Sequence, residues 1–295
     1  MVVIHLQGGL GNQMFQYALA RALAHRLDVP LKLDLANFAE YSFRRYELGN
    51  YNIRASIATV TDLQLAKQYG LLGKVIAPLL GGVFDKFRFQ MVRESSSRYC
   101  PDVLAMRGNL YLWGHWQSEK YFRSIESFLR DDFSLRSPID PVNAEFVGLI
   151  QDAMAVSMHV RRGDYVSDLK ASNMLGALSL DYYHNAAQYV AARVANPTFF
   201  VFTDDPVWAK EHIRIDHPVI FVMHNRSNKA YLDMHLMSIC RHNIIANSTF
   251  SWWGAWLNRN ADKIIVAPRT WYRDTSYDTT DLIPEAWVRI NGSFL

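Results

Sequence analysis

The sequence predicts an α/β protein built on parallel sheets, and three observations carry that expectation. A strand, a glycine turn, a helix and a second strand follow one another within the first 35 residues, which makes a βαβ unit whose crossover implies a parallel pair. From Ala155 onward, short apolar runs alternate with helical patterns of roughly a dozen residues, the signature of a doubly wound sheet. The chain has 295 residues, 50% of them apolar and 20% charged, so it is globular. At about 150 residues per domain, that length suits two domains or one large one.

The elements follow in order. Val2 to Leu6 reads as a short buried strand, GGLGN as a turn, and Phe15, Ala18, Leu19, Ala22, Leu23 and Leu27 recur at helical spacing before a strand at Leu31 to Leu35. The next hundred residues are less periodic. They offer a helix near Leu63 to Tyr69, an apolar, glycine-punctuated stretch from Leu71 to Phe84, and a strand at Leu110 to Trp113. The charged, proline-bounded segment Arg130 to Pro141 reads as a linker. Beyond it come strands at Ala155 to Val160, Thr198 to Phe202, Val219 to Val222, Asn243 to Ala246 and Lys263 to Ala267. The helices between them are Leu180 to Arg193, Pro206 to His212, Lys229 to Cys240 and Phe250 to Leu257. The expected domains are 1–140 and 141–295, with a last helix in DLIPEAWVRI packing back on the first.

Composition excludes several classes. Lys plus Arg number 31 against 28 acidic residues, a net charge of +3, too small an excess for a general nucleic-acid surface. No export signal and no apolar run of about 18 residues is present, so the expected location is cytoplasmic and NRS, NST and NGS are chance matches to the glycosylation pattern. Basic residues flanking LLGKVIAPLLGGVFDKFRF allow peripheral membrane contact at 71–89, although Pro78, Gly81 and Gly82 interrupt any long amphipathic face and favour a buried hairpin or helix pair. Cys100 and Cys240 lack metal-ligand spacing and read as buried free thiols.

In a doubly wound sheet, functional residues gather beyond the carboxyl ends of strands. Gly8 to Asn12 offers close backbone approach and open helix N–H groups to an anion or polar sugar, without the spacing of a dinucleotide fingerprint or a Walker A loop; a tight structural turn is an equal reading. Asn12 is either a helix cap or a cleft-facing amide. HVRRGDY crowds His159, Arg161, Arg162, Asp164 and Tyr165 at a strand end. There one arginine can clamp phosphate while its neighbour pairs with an acid such as Asp164, and an ion-pair network fixing the loop is the structural alternative. FTDDP supplies Asp204, and NSTFSWW supplies Asn247, Ser248, Thr249, Phe250 and Ser251 at a helix start, either as phosphate donors or as a simple cap. Trp252, Trp253 and Trp256 read as a packed wall rather than a sugar platform.

These motifs resemble the bacterial α1,2-fucosyltransferases and, more broadly, the α1,6- and protein-O-fucosyltransferases. The likeness runs over HLQGGLGNQMFQYALARALA, GHWQSEKYF, HVRRGDY, FFVFTDD and YLDMHLMSICRHNIIANSTFSWWGAWLN. It implies a GT-B architecture, two Rossmann-like domains facing across a cleft, and inverting transfer of L-fucose from GDP-β-L-fucose to the 2-hydroxyl of a galactosyl acceptor. That acceptor would be an oligosaccharide or lipid-linked glycan of a cell-surface polymer such as O-antigen, reached from the cytoplasmic face of the inner membrane. The resemblance assigns Arg161 to the donor diphosphate and Asn12 to the reacting oxygens. It places Gly9, Gly11, His159, Asp204, Asn247 and Ser248 to Ser251 around GDP. His115 stands where the family pattern carries tyrosine. No cofactor or divalent metal is expected, because Arg161 and helix-end donors can meet the charge on the leaving group. Asp164 and His115 are the candidate bases, and a carboxylate beside two arginines makes a weak one. Another GDP-sugar transferase of the same fold and a noncatalytic sugar-binding protein are the alternatives.

Overall fold

The computed structural model describes residues 1–40, 44–66 and 89–295. It divides into two compact units, Met1–Ser137 with Thr279–Leu282, and Pro138–Asp278 with Ile283–Leu295.

The first unit is a five-stranded parallel sheet in the order β3-β2-β1-β5-β4, formed by β1 (Val2–His5), β2 (Leu31–Asp34), β3 (Ser56–Ile57), β4 (Phe89–Arg93) and β5 (Asn109–Trp113). β1 is buried along its whole length because it lies at the centre of the sheet. Gly9 begins the helix Leu10–Leu27, which ends in a left-handed Asp28. Its hydroxyl-bearing Tyr17 and its Arg21 both donate to the buried Asp132, at 2.6 and 3.0 Å.

The expected linker is therefore shorter than Arg130 to Pro141. Residues 130–132 complete the helix Glu126–Asp132, and Asp132 is an interior ion-pair partner rather than a solvated charge. The helix expected near Leu63 to Tyr69 is present at 60–66, and its remainder lies outside the described residues, as do Leu71 to Phe84 and the 71–89 membrane-contact segment apart from Phe89 in β4. Four late residues, Thr279–Leu282, belong to this unit, where Asp281 accepts from the Tyr99 N–H at 2.9 Å and from Lys120 at 2.6 Å.

The second unit is a six-stranded parallel sheet in the order β11-β10-β9-β6-β7-β8. Its strands are β6 (Met154–Val160), β7 (Pro197–Thr203), β8 (Val219–Val222), β9 (His242–Ile244), β10 (Ile265–Pro268) and β11 (Val288–Ile290). The apolar run FFVF is buried throughout in β7 between β6 and β8, as a strand covered on both faces must be. Helix Leu180–Ala191 packs on the sheet, where Tyr182 donates its hydroxyl to the Ile245 carbonyl at 2.6 Å, and helix Ala230–Ile239 packs against the helices Pro141–Gln151 and Thr249–Trp256. No helix forms in DLIPEAWVRI: the segment is turns followed by β11, because its apolar residues complete the sheet edge beside β10. Trp252, Trp253 and Trp256 pack on one another, and Trp287 lies 5.3 Å from Trp252. Cys240 is buried, while Cys100 is only half-buried; both are free thiols.

Candidate active site

β6 delivers HVRRGDY to the carboxyl edge of the second sheet, and Arg161 is the first residue past it. Its guanidinium is gripped from two sides: Nη2 donates to Asp164 Oδ1 at 2.5 Å and Nη1 pairs with Asp204 Oδ2 at 2.7 Å. Burial alone would lower the Arg161 pKa, but Asp204 and Asp164 outweigh it and hold the group charged. The Tyr165 ring lies below the guanidinium at 5.2 Å. Two of its five N–H donors face these carboxylates.

The division of labour between the arginines differs from the expected one. Asp164 pairs with Arg161, not with its neighbour, because the helix Gly163–Ser167 starts at once and turns Asp164 back over Arg161. Arg162 points elsewhere, as adjacent residues leaving a strand must: Nε pairs with Asp205 at 3.3 Å and its guanidinium lies 3.7 Å from the Trp208 ring centroid.

Asp204 is the hinge of this arrangement. Besides gripping Arg161, it accepts the Arg162 backbone N–H on Oδ1 at 2.9 Å. Gly163 makes that approach possible, since a Cβ there would stand 2.4 Å from Asp204 Oδ2. His159 is 5% exposed, its pKa is pushed down to about 3 by burial and then by Arg161, and its Nδ1 is buried with no hydrogen-bond partner. It is thus a neutral ring packed 5.6 Å from Phe250.

NSTFS lies after β9. Asn247 is fully buried, and its amide donates to the carbonyls of Leu175, Gly176 and Trp271. Asn247 thus ties the loop down from within. Ser251 is buried and donates to the carbonyls of Ala246 and Ser248. Ser248 stands at the N-cap of the helix Thr249–Trp256 without a side-chain cap bond, so of the two readings of this segment the simple side-chain cap is not the one formed. The first N–H groups of that helix lack a side-chain acceptor there, and Thr249 and Phe250 are half-buried beside them.

In the first unit, Gly9 is the N-cap of its helix, so Asn12 lies one turn inside and is not the cap. Its side-chain oxygen accepts from Gln117 at 3.0 Å. Gly8, at φ +77°, brings the chain so close that a Cβ would meet Asn12 Nδ2 at 2.6 Å. Gly11 is buried. His115 is exposed. Glu94, which the sequence did not single out, anchors this loop by accepting the N–H groups of His115 and Trp116 at 2.6 and 2.9 Å. Its signal in the sequence is weak, because it follows a strand that emerges from an aperiodic stretch. Gly163 escaped notice for another reason: its role depends on Asp204, 41 positions later in the sequence.

Among the described residues, no group of three His, Cys, Asp or Glu side chains could hold a metal ion, and no helix is long and apolar enough to cross a membrane. The set does suit an anion with sugar attached: fixed guanidinium donors and an open helix start can meet phosphate charge.

The comparisons agree with that chemistry. Residues 89–291 match the model of "Glycosyl transferase family 11". The chain is 34% identical to an alpha-1,2-colitosyltransferase of Escherichia coli over 98% of this chain and 99% of that protein. It is 31% identical to the O-antigen biosynthesis glycosyltransferase WbnK of Escherichia coli, with 97% and 99% covered. Arabidopsis thaliana FUT1, solved as a point mutant in complex with GDP, shares the fold at a TM-score of 0.51 and 13% identity, with 97% of this chain and 75% of that one covered. Two Rossmann-like parallel units of the GT-B class, with an arginine clamped at the carboxyl edge of the second, and these matches together show that the chain is a glycosyltransferase and belongs to glycosyltransferase family 11.

Proposed function

We propose that this enzyme transfers a 6-deoxy-L-hexose from a GDP donor to the 2-hydroxyl of a galactosyl residue in a cell-surface glycan, with inversion. The carrying observation is Arg161, fixed in orientation between Asp164 and Asp204 at the end of β6. As the sugar–phosphate bond breaks, negative charge grows on the diphosphate, and a guanidinium that needs no reorganisation stabilises that charge most. The helix start at Thr249 adds main-chain donors. Asp204 and Ser251, together with the Asn247 amide nitrogen, serve this clamp by positioning it, since those groups are bonded within the protein. The second unit is assigned to the donor and the first, with Asn12 and His115, to the acceptor.

Support for the linkage comes from relatives named for α1,2 transfer, including the galactoside alpha-(1,2)-fucosyltransferase 2 of Gorilla gorilla gorilla at 31% identity over 92% of this chain. Fucose and colitose differ by one ring hydroxyl. The colitosyl relative, matched over its whole length, favours a second reading in which the donor is a GDP-sugar other than GDP-fucose. Incubating the enzyme with GDP-fucose and GDP-colitose in parallel, against a panel of terminal galactosides, decides the sugar, and linkage analysis of the product decides the position. Transfer from neither donor to any galactoside, by folded enzyme, refutes the proposal.

A further inference from the structure

Across the carboxyl edge of the first sheet, four side chains stand level on four neighbouring strands: Asp34 on β2, His5 on β1, Trp113 on β5 and Arg93 on β4. The register pairs His5 with Asp34 and Arg93 with Trp113, and pairs Ile4 with Leu112 one step earlier, so all four project from one face. They are in contact along the row. His5 Nδ1 lies 3.2 Å from Asp34 Oδ2, the His5 and Trp113 rings stack at 4.5 Å, and the Arg93 guanidinium lies 5.1 Å from the Trp113 centroid.

Asp34 is the buried end of the row and sets its chemistry. Burial would raise its pKa, but hydrogen bonds from His5, from Tyr111 and from the Ala36 N–H outweigh that and hold it at about 2. An ionised carboxylate only accepts, so in the neutral imidazole the proton sits on Nδ1 of His5 and Nε2 presents a lone pair. Nε2 has no hydrogen-bond partner among the described residues. At the other end the row opens: Trp113 is 37% exposed and Arg93 is exposed. With the imidazole neutral, the edge offers an acceptor at Nε2 beside an indole and a guanidinium that only donate.

We propose that this row is a recognition site for the hydroxyl groups of a pyranoside, with His5 accepting from one hydroxyl while Trp113 and Arg93 donate to its neighbours. Such alternation matches vicinal hydroxyls, each of which both donates and accepts. The site deepens the acceptor role proposed above for the first unit and rests on that reading for the identity of the sugar, a terminal galactoside.

The test uses the full chain with methyl β-galactoside as probe. Saturation-transfer NMR reads direct binding without donor, acceptor KM is measured with GDP-fucose, and calorimetry gives the GDP Kd. Arg93→Gln and Trp113→Phe change the open end of the row and keep the fold. His5→Phe keeps the ring stack, removes the acceptor nitrogen and is checked by its melting temperature. The expected result is a rise in acceptor KM of about tenfold or more in each folded variant with GDP Kd within about twofold of wild type. A galactoside lacking the hydroxyl bound by His5 should be penalised by wild type and not further by His5→Phe. Wild-type acceptor KM and galactoside binding in both Arg93→Gln and Trp113→Phe overturn the inference and leave the transferase reading intact. Loss of GDP binding or transfer in the wild type strikes the transferase reading instead, and galactoside binding by NMR then still decides the row.

Discussion

Gly163→Ala should disable the arginine clamp without touching a charged group. The added Cβ would sit 2.4 Å from Asp204 Oδ2 and 3.1 Å from its Cγ, whereas ordinary contact begins near 3.4 Å. The carboxylate oxygen must retreat by about 1 Å, which lengthens its 2.7 Å contact with Arg161 past hydrogen-bond range. Rotation also pulls Oδ1 off the Arg162 N–H, now at 2.9 Å. A hydrogen bond to a charged group contributes about 1.5–3 kcal/mol, and with the Asp204 side chain a quarter exposed the lower end applies, about 1–2 kcal/mol. GDP affinity should then fall about 5- to 30-fold by calorimetry, with a drop of a few degrees in melting temperature. Combining Gly163→Ala with Asp204→Ala should cost little beyond Asp204→Ala alone, because the first change acts through the second residue. Wild-type GDP affinity in folded Gly163→Ala, or fully additive losses in the double variant, would refute the reasoning.

Arg161→Ala should reduce turnover at least ~100-fold with the fold intact, and Arg161→Lys should also be impaired because an ammonium cannot span Asp164, Asp204 and a phosphate together; steady-state kinetics with circular dichroism checks both. Asn12→Asp should leave melting temperature nearly unchanged, since Asn12 is not the helix cap, and cut turnover sharply; normal turnover would remove Asn12 from the reacting centre. Activity should survive dialysis against EDTA, and complete loss restored only by Mg²⁺ or Mn²⁺ would assign a metal role to Asp204 or Asp205. Asp233 has its carboxyl pushed up to about 7 by burial, against an opposing hydrogen bond from Asn225. The folded state therefore keeps a proton that the unfolded chain loses near pH ~4, and stability declines as pH rises from there through about 7. Asp233→Asn should flatten that decline, and calorimetric melting at about pH 5 and pH 8 that shows the wild-type slope would contradict it.

The local physics of the chain determined a good deal by itself. Helical spacing and continuous apolar runs located β1, the helix after Gly9, and nearly every strand and helix from β6 to β10, because a parallel strand buried on both faces must be apolar whatever it pairs with. The carboxyl-end rule then singled out HVRRGDY and NSTFS without knowledge of strand order. The edge strands β3, β4 and β11 were not legible: β3 and β11 are two and three residues long with none buried, β4 does not alternate, and only the neighbour that completes their hydrogen bonds makes them strands. Pairing between side chains was likewise decided by tertiary structure. Which acid holds Arg161 depends on a helix beginning at Gly163 and on β7 lying beside β6, so that Asp204 arrives next to a residue 43 positions earlier in the chain. The row from Asp34 to Arg93 has the same origin, since four residues scattered between positions 5 and 113 become neighbours only through sheet register. Composition and periodicity are local properties, whereas the charge and proton positions of a site come from groups that the fold alone brings within a few ångströms of one another.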